Sequence, residues 1–208
     1  VLDEAWGSTN ESWESLLAST KTPDPLRAKA DLDAFFNKLA GEYFSACRDT
    51  IRELAPGQLY LGCRFAHAHP MAEEVAAKYC DVVSFNHYEN TAANMKVGSG
   101  VDKPFLIGEF HFTAPGSGYF SPSGLIEVAD QKERAACYKR YWLSVLEHPN
   151  CVGANWFMYQ NQPISGSQAN GENYSTGFVD IVDSPYLELV AAAGEIGNNL
   201  YKIRSSGK

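Results

Sequence analysis

Apolar residues recur every three to four positions between residues 24 and 55, at Leu26, Ala30, Leu32, Phe35, Phe36, Leu39, Tyr43, Cys47, Ile51 and Leu54. Pro56-Gly57 then stops the run, so the spacing predicts one long amphipathic helix. The pattern shortens after it. Residues 59–65 read as a strand, His67 and His69 fall in a loop, and 71–79 read as a helix. A strand over 81–85 runs into Asn86-His87-Tyr88, and an irregular crossover over 89–102 leads to Lys103-Pro104 and the apolar run Phe105, Leu106 and Ile107. Such a run fits a strand covered on both faces. A Gly/Ser/Pro-rich loop over 113–124, a helix over 129–147, a strand over 151–157, a polar loop to about Gly177 and a helix over 185–203 complete the reading.

Alternation of this kind implies a parallel sheet with right-handed crossovers, either an open doubly wound sheet or a (β/α) barrel. No Gly-rich phosphate fingerprint follows any strand, which disfavours a nucleotide-binding fold.

Composition adds three limits. With 45% hydrophobic and 20% charged residues the chain is long enough, at 208 residues, for one domain with a sizeable core. No apolar run approaches the roughly 20 residues that span a bilayer. The formal charge of −8, with 17 Lys and Arg scattered along the chain, argues against nucleic acid or an anionic polymer and favours a neutral or cationic ligand. Val1-Leu2-Asp3-Glu4 resembles neither a signal peptide nor an initiator segment, so the N-terminus reads as cut or processed. Cys47, Cys63, Cys80, Cys137 and Cys151 lack metal-site spacing and read as buried free thiols.

The residues with chemistry cluster where strands end, and in a barrel those ends share one mouth. They are Arg64, Asn86-His87-Tyr88, Glu109, Asn155-Trp156 and, as the stub of another strand, Asp3-Glu4. Glu109 stands out, because a carboxylate at the exit of an apolar strand loses solvation unless it is paired or used. It reads either as a salt-bridged strand end or as a catalytic group. Two carboxylates with a tyrosine, an amide and an indole are what retaining glycoside hydrolysis uses, the carboxylates standing about 5–5.5 Å apart. Several residues keep two readings. His67 and His69 are a zinc pair, or else loop or substrate-contact residues. His111 is a substrate contact or packing, and Tyr119, Phe120 and Tyr159 are stacking surfaces or loop anchors. Asn161, Gln162 and Asn173 recognise hydroxyls or hold their loop. Tyr141 and Trp142 read as core.

These residues carry a resemblance. The chain resembles the C-terminal part, from the fourth strand onward, of a clan A glycoside hydrolase barrel, and more closely the family 50 β-agarases. The similar stretches are Ile107-Gly108-Glu109-Phe110-His111-Phe112, Ala114-Pro115-Gly116-Ser117-Gly118-Tyr119-Phe120, Trp156-Phe157-Met158-Tyr159-Gln160-Asn161-Gln162-Pro163 and Asn173-Tyr174-Ser175-Thr176-Gly177-Phe178-Val179-Asp180. The ending from Tyr186-Leu187-Glu188-Leu189-Val190 to Leu200-Tyr201-Lys202-Ile203-Arg204 is similar too.

The resemblance implies an α/β fold, the half of a (β/α)8 TIM barrel containing about strands 4–8, over residues 1–208 with no second domain. It implies Glu109 as nucleophile, Tyr88 as its hydrogen-bonding neighbour and Trp156 as a sugar platform. Glu4 is the implied acid/base, since Asp3-Glu4-Ala5-Trp6-Gly7 resembles an Asn-Glu motif followed by Trp-Gly; the pattern departs at Asp3. Asp3, Trp6, Asn86, His87, His111, Tyr119, Gln160 and Asn161 join Trp156 as implied substrate contacts. The implied reaction is retaining cleavage of β-linkages in a neutral galactose-containing polysaccharide, without metal or organic cofactor. Secretion or a periplasmic location follows from a polymeric substrate, with no nucleic-acid or membrane partner. Half a barrel leaves sheet edges open, so the first strands are expected from the same polypeptide, a separate chain or a second copy. Three rivals stay open: another clan A hydrolase such as a β-galactosidase, mannanase or glucanase, a non-catalytic sugar-binding segment, and a metal-dependent hydrolase built on His67 and His69.

Overall fold

The structure, a computed structural model, describes residues 2–116 and 124–206. In chain order it contains α1 (Leu2–Trp6), α2 (Trp13–Ala18), α3 (Lys29–Leu54), β1 (Arg64–Phe65), α4 (Pro70–Tyr79), β2 (Val83–Asn86), β3 (Phe105–Phe110), α5 (Gln131–Glu147), β4 (Cys151–Trp156) and α6 (Leu187–Ser206). The four strands form one sheet in the order β1-β2-β3-β4, and every neighbouring pair is parallel. Among the described residues the strand order has no reversal of the kind that marks the switch point of a doubly wound sheet. With right-handed crossovers it also keeps the connecting helices on one face.

That face is the core. Phe65, Val83, Phe85, Phe105, Ile107, Phe110 and Cys151 point from the strands into a cluster with Val75 and Ala76 of α4, Tyr138, Tyr141 and Val145 of α5, and Leu189 and Ile196 of α6. Burying each large side chain contributes about 1.5–3 kcal/mol. The Phe110 ring stacks on Tyr141 with centroids 4.0 Å apart, which seats β3 on α5. Two of these helices are started by a side chain. Asp130 caps α5 by accepting from the Glu133 N–H, and His69 caps α4 ahead of Pro70.

Three expectations change. The strand over 59–65 shortens to Arg64–Phe65. Gly62 adopts φ 66° with Cys80 Sγ against it, and the Tyr60 N–H donates to the Asp81 carboxylate at 2.8 Å while the Tyr60 carbonyl accepts from the Asp81 N–H. Those bonds replace a ladder. The long helix begins at Lys29 because Asp24 instead caps a local turn, accepting from the Leu26 and Arg27 N–H groups. Its apolar stripe is also only partly covered: Phe44 is buried, whereas Phe35, Leu39 and Tyr43 stay more than half exposed. Finally, Asp3 and Glu4 lie in helix α1 and not on a strand. The five cysteines are free, with Cys80, Cys137 and Cys151 buried.

The feature that builds the site is an irregularity in β3. Phe85 pairs with Ile107 and Asn86 with Glu109, so one extra residue is inserted opposite β2. On the other side Ile107 pairs with Ala154 and Phe110 with Trp156, three steps against two. The bulge lets Gly108 and Glu109 both face away from the helices while Phe110 returns to the core. A Cβ on Gly108 would lie 2.4 Å from Arg64 Cδ and 2.9 Å from Ser84 Oγ, so only glycine leaves room for the arginine stem. Gly108→Ala is expected to displace Arg64 from Glu109 with little change in melting temperature; a crystal structure of the variant that keeps the 2.7 Å Arg64–Glu109 contact would show that the strand absorbs the added methyl.

Candidate functional site

Glu109 stands on β3, and its carboxylate is met by Arg64 of β1, Asn86 at the end of β2 and Tyr88 just after β2. Arg64 Nη2 lies 2.7 Å from Oε1, and the Glu109 side chain is 12% exposed. Oε2 accepts from Asn86 Nδ2 at 2.8 Å and from the Tyr88 hydroxyl at 2.6 Å. Both oxygens are therefore oriented. Burial, reinforced by the bond to Glu109, raises the Tyr88 phenol well above its ordinary value, so it remains a donor. Asn86 Oδ1 is buried without a partner among the described residues.

His111 closes one side of this group. Its ring lies 4.6 Å from Tyr88 and 5.6 Å from Tyr174, centroid to centroid, and it is 1% exposed. Its Nε2 accepts from the Leu125 N–H, which requires the neutral imidazole. Burial drives its pKa down from 6.5 to about 4, with the Phe157 backbone acting the other way and the Arg134 charge in the same direction as burial. Between those values the unfolded chain binds a proton that the folded one refuses. Stability is accordingly full above pH 6.5 and lost as pH falls toward 4, by up to about 3 kcal/mol. Melting temperatures of the wild type and His111→Gln across that window check this; the variant should show a flatter fall.

Other expected site residues lie elsewhere. The Trp156 indole points to the helix side, ringed by Phe110, Tyr138 and Phe178, with its N–H donating to the Thr176 carbonyl. The Arg134 guanidinium sits 5.5 Å over the ring. With those neighbours it packs the core instead of offering a free platform. Strand alternation puts Phe157 on the opposite side, where its ring is 6.1 Å from His111. Asn161 is 4% exposed and holds its loop, donating to the Tyr186 hydroxyl and accepting from the Gly177 N–H. Both ends of its amide are thereby engaged within the protein. Gln160 bonds Asp183, and the His87 ring bonds the Thr91 carbonyl, so both serve loops. Tyr119 lies outside the described residues.

At the N-terminus Asp3 is taken up by Ser8 and Asn10, which hold its carboxyl below the usual range. Trp6 Nε1 donates to Asp31, and Arg27 donates to the Glu4 carbonyl. These contacts dock α1 on the start of α3. The Glu4 carboxylate has no hydrogen-bond or ion-pair partner among the described residues and is exposed. The strand-end placement on which its implied role rested is not present. No group of three His, Cys, Asp or Glu that could hold a metal occurs among the described residues.

One buried residue went unread. Arg134 is 0% exposed and donates to the carbonyls of Phe112, 2.8 Å, and Gly177, 2.9 Å, and to Gln131. Burial lowers its pKa to about 10, leaving it charged at neutral pH. The signal was present in the spacing: Arg134 shares a helical stripe with Cys137, Tyr138 and Tyr141.

A parallel α/β sheet that gathers an arginine, an amide and a phenol around one carboxylate at its strand ends defines a candidate catalytic edge. In sequence and in fold the chain matches a segment of the glycoside hydrolase family 50 agarases. It is 37% identical over 98% of its length to β-agarase B of Vibrio sp. (strain JT0107) and 34% identical over 96% to β-agarase A of the same strain. Among solved structures, the agarase AgWH50C superposes with a TM-score of 0.85 at 36% identity, and an exo-β-agarase with 0.84 at 38%, each over 98% of this chain. The chain spans 22% and 21% of the two Vibrio agarases and 30% and 28% of the two structures. No family model matches it.

Proposed function

We propose that the chain is the nucleophile-bearing C-terminal half of a (β/α)8 barrel that hydrolyses β-linkages of a neutral, galactose-containing polysaccharide, agarose or a close relative, with retention. The observation that carries this is the Glu109 carboxylate, held at both oxygens by Arg64, Asn86 and Tyr88 at a strand end. In this reading a Glu109 oxygen attacks the anomeric carbon as the glycosidic bond breaks, and the departing glycosidic oxygen takes a proton from a second, protonated carboxyl group, leaving it a carboxylate. A water then gives its proton to that carboxylate and attacks the anomeric carbon, which frees Glu109. Tyr88 keeps its proton and fixes the attacking oxygen, and Phe157 with exposed Tyr159 offers the aromatic surface that Trp156 does not.

The proton donor belongs on a strand end about 5–5.5 Å from Glu109. We assign it to the part of the barrel that pairs with the open edge of this sheet, because Glu4 sits on helix α1. A large fall in turnover on Glu4→Gln would return the role to Glu4. The remaining strands are supplied by the same polypeptide, another chain or a second copy, and action on a polymer places the enzyme outside the cytoplasm.

A 2-deoxy-2-fluoro-galactosyl donor tests the reading. Peptide mass mapping should find the sugar on Glu109, and proton NMR should show the first product with the anomeric configuration of the substrate. Inversion, or an adduct on another residue, would sink it. A second reading, a sugar-binding segment without turnover, is favoured by one observation: no second carboxylate contacts the Glu109 group among the described residues. It predicts oligosaccharide binding and no trapped adduct.

A further inference from the structure

We infer that Glu172 is a specificity-determining substrate contact, accepting hydrogen bonds from hydroxyls of the sugar bound beside Glu109. The inference rests on the hydrolase reading above and assigns a residue which that reading does not use. Glu172 stands in the loop between β4 and α6, and this loop is built inward from buried amides. Asn161 ties it to Gly177 and Tyr186, and Gln162 Oε1 accepts from the Tyr174 N–H at 2.8 Å. The other end of the same Gln162 amide donates to Glu172 Oε2 at 3.0 Å. An amide therefore aims this carboxylate. No Lys or Arg forms an ion pair with it among the described residues.

The loop meets the nucleophile through one ring. His111 lies between Tyr174 of the loop, 5.6 Å away, and Tyr88, 4.6 Å away, and Tyr88 bonds Glu109. Glu172 is two residues from Tyr174, and its charge contributes to raising the phenols of both Tyr174 and Tyr88. A half-buried carboxylate without a cation is costly unless donors satisfy it. Its second oxygen and remaining lone pairs are acceptors only. The hydroxyls of a neutral sugar are donors of that kind, and a carboxylate spans two adjacent ones. Sites that hydrogen-bond a substrate hydroxyl discriminate strongly against analogues lacking it.

Calorimetric titration with a neoagaro-oligosaccharide decides the matter in the Glu109→Gln background, where turnover cannot intervene. The Glu109→Gln protein should bind, and adding Glu172→Gln should weaken binding about tenfold to a hundredfold. A partly O-methylated oligosaccharide supplies a readout that misfolding would not mimic. It should bind the Glu109→Gln protein more weakly than the parent sugar, and the double variant should not tell the two apart. Equal affinities for the single and double variants overturn the role of Glu172 and leave the hydrolase reading standing. Absence of binding to Glu109→Gln overturns both.

Discussion

Glu109→Gln should lower sugar release from agarose by on the order of 10⁴-fold, equivalent to about 5 kcal/mol of transition-state stabilisation. The replacement keeps the side chain's size and an acceptor oxygen for Tyr88 and Asn86, so the pocket should persist while the nucleophile is lost. It also removes the charge that faces Arg64 at 2.7 Å. The sharper form of the test is Glu109→Gly with added azide. A small anion can occupy the space left by the carboxylate and attack from the same side, yielding a glycosyl azide of the configuration opposite to the substrate. Tyr88→Phe should cost less, about 10²-fold, because one of three groups on the carboxylate is removed while the other two remain. That ordering separates a nucleophile held by its neighbours from a structural ion pair. If Glu109→Gln retained more than about one per cent of activity, or azide gave no product, the carboxylate would be a strand-end salt bridge.

Glu109 was legible because three consecutive apolar residues announce a covered strand and an acidic residue then breaks the run. Its partners Asn86 and Tyr88 were legible for the same reason, lying where the preceding strand ends. What the pattern did not reveal is how they meet. A strict period of two puts Gly108 and Glu109 on opposite faces, and only the extra residue in β3 turns both toward Arg64. A bulge is a property of pairing with neighbours, so it leaves little trace in one strand read alone.

The same distinction separates the other successes and failures. The helical stripe from Leu32 to Ile51 follows from local spacing and is present, but how much of it is covered depends on what packs there. Trp156 was placed on the right strand as a sugar platform, yet its ring turns toward the core, whereas Asn161, read as recognising hydroxyls or holding its loop, does the second. Asp3 and Glu4 were read as a strand stub. Instead, the Asp3 side chain satisfies Ser8 and Asn10 within a few residues, a local bonding option that competes with extended structure.

Arg134→Met should destabilise the protein by about 3–5 kcal/mol, a large part of the 5–15 kcal/mol that holds a typical domain together. The methionine would fill much of the space, so the loss is polar. Two carbonyls, of Phe112 and Gly177, would be buried without the donors that now satisfy them. The charge itself is balanced by no carboxylate among the described residues; it rests on carbonyls and on the faces of Trp156 and Tyr186, 5.5 and 5.3 Å from the guanidinium. Arg134→Lys keeps the charge but presents an ammonium in place of the planar fork, and it should recover only part of the stability. Denaturant titration measures both. Phe112 lies two residues past the end of β3, the strand that carries Glu109, and Gly177 lies in the same β4–α6 loop as Glu172 and Tyr174. The guanidinium thus joins the end of β3 to that loop. At temperatures where Arg134→Lys remains folded, its loss should appear as a raised KM with kcat less affected, because the loop would shift more than the strand. Equal stability of all three proteins would show that water satisfies those carbonyls, and that the link between strand and loop lies elsewhere.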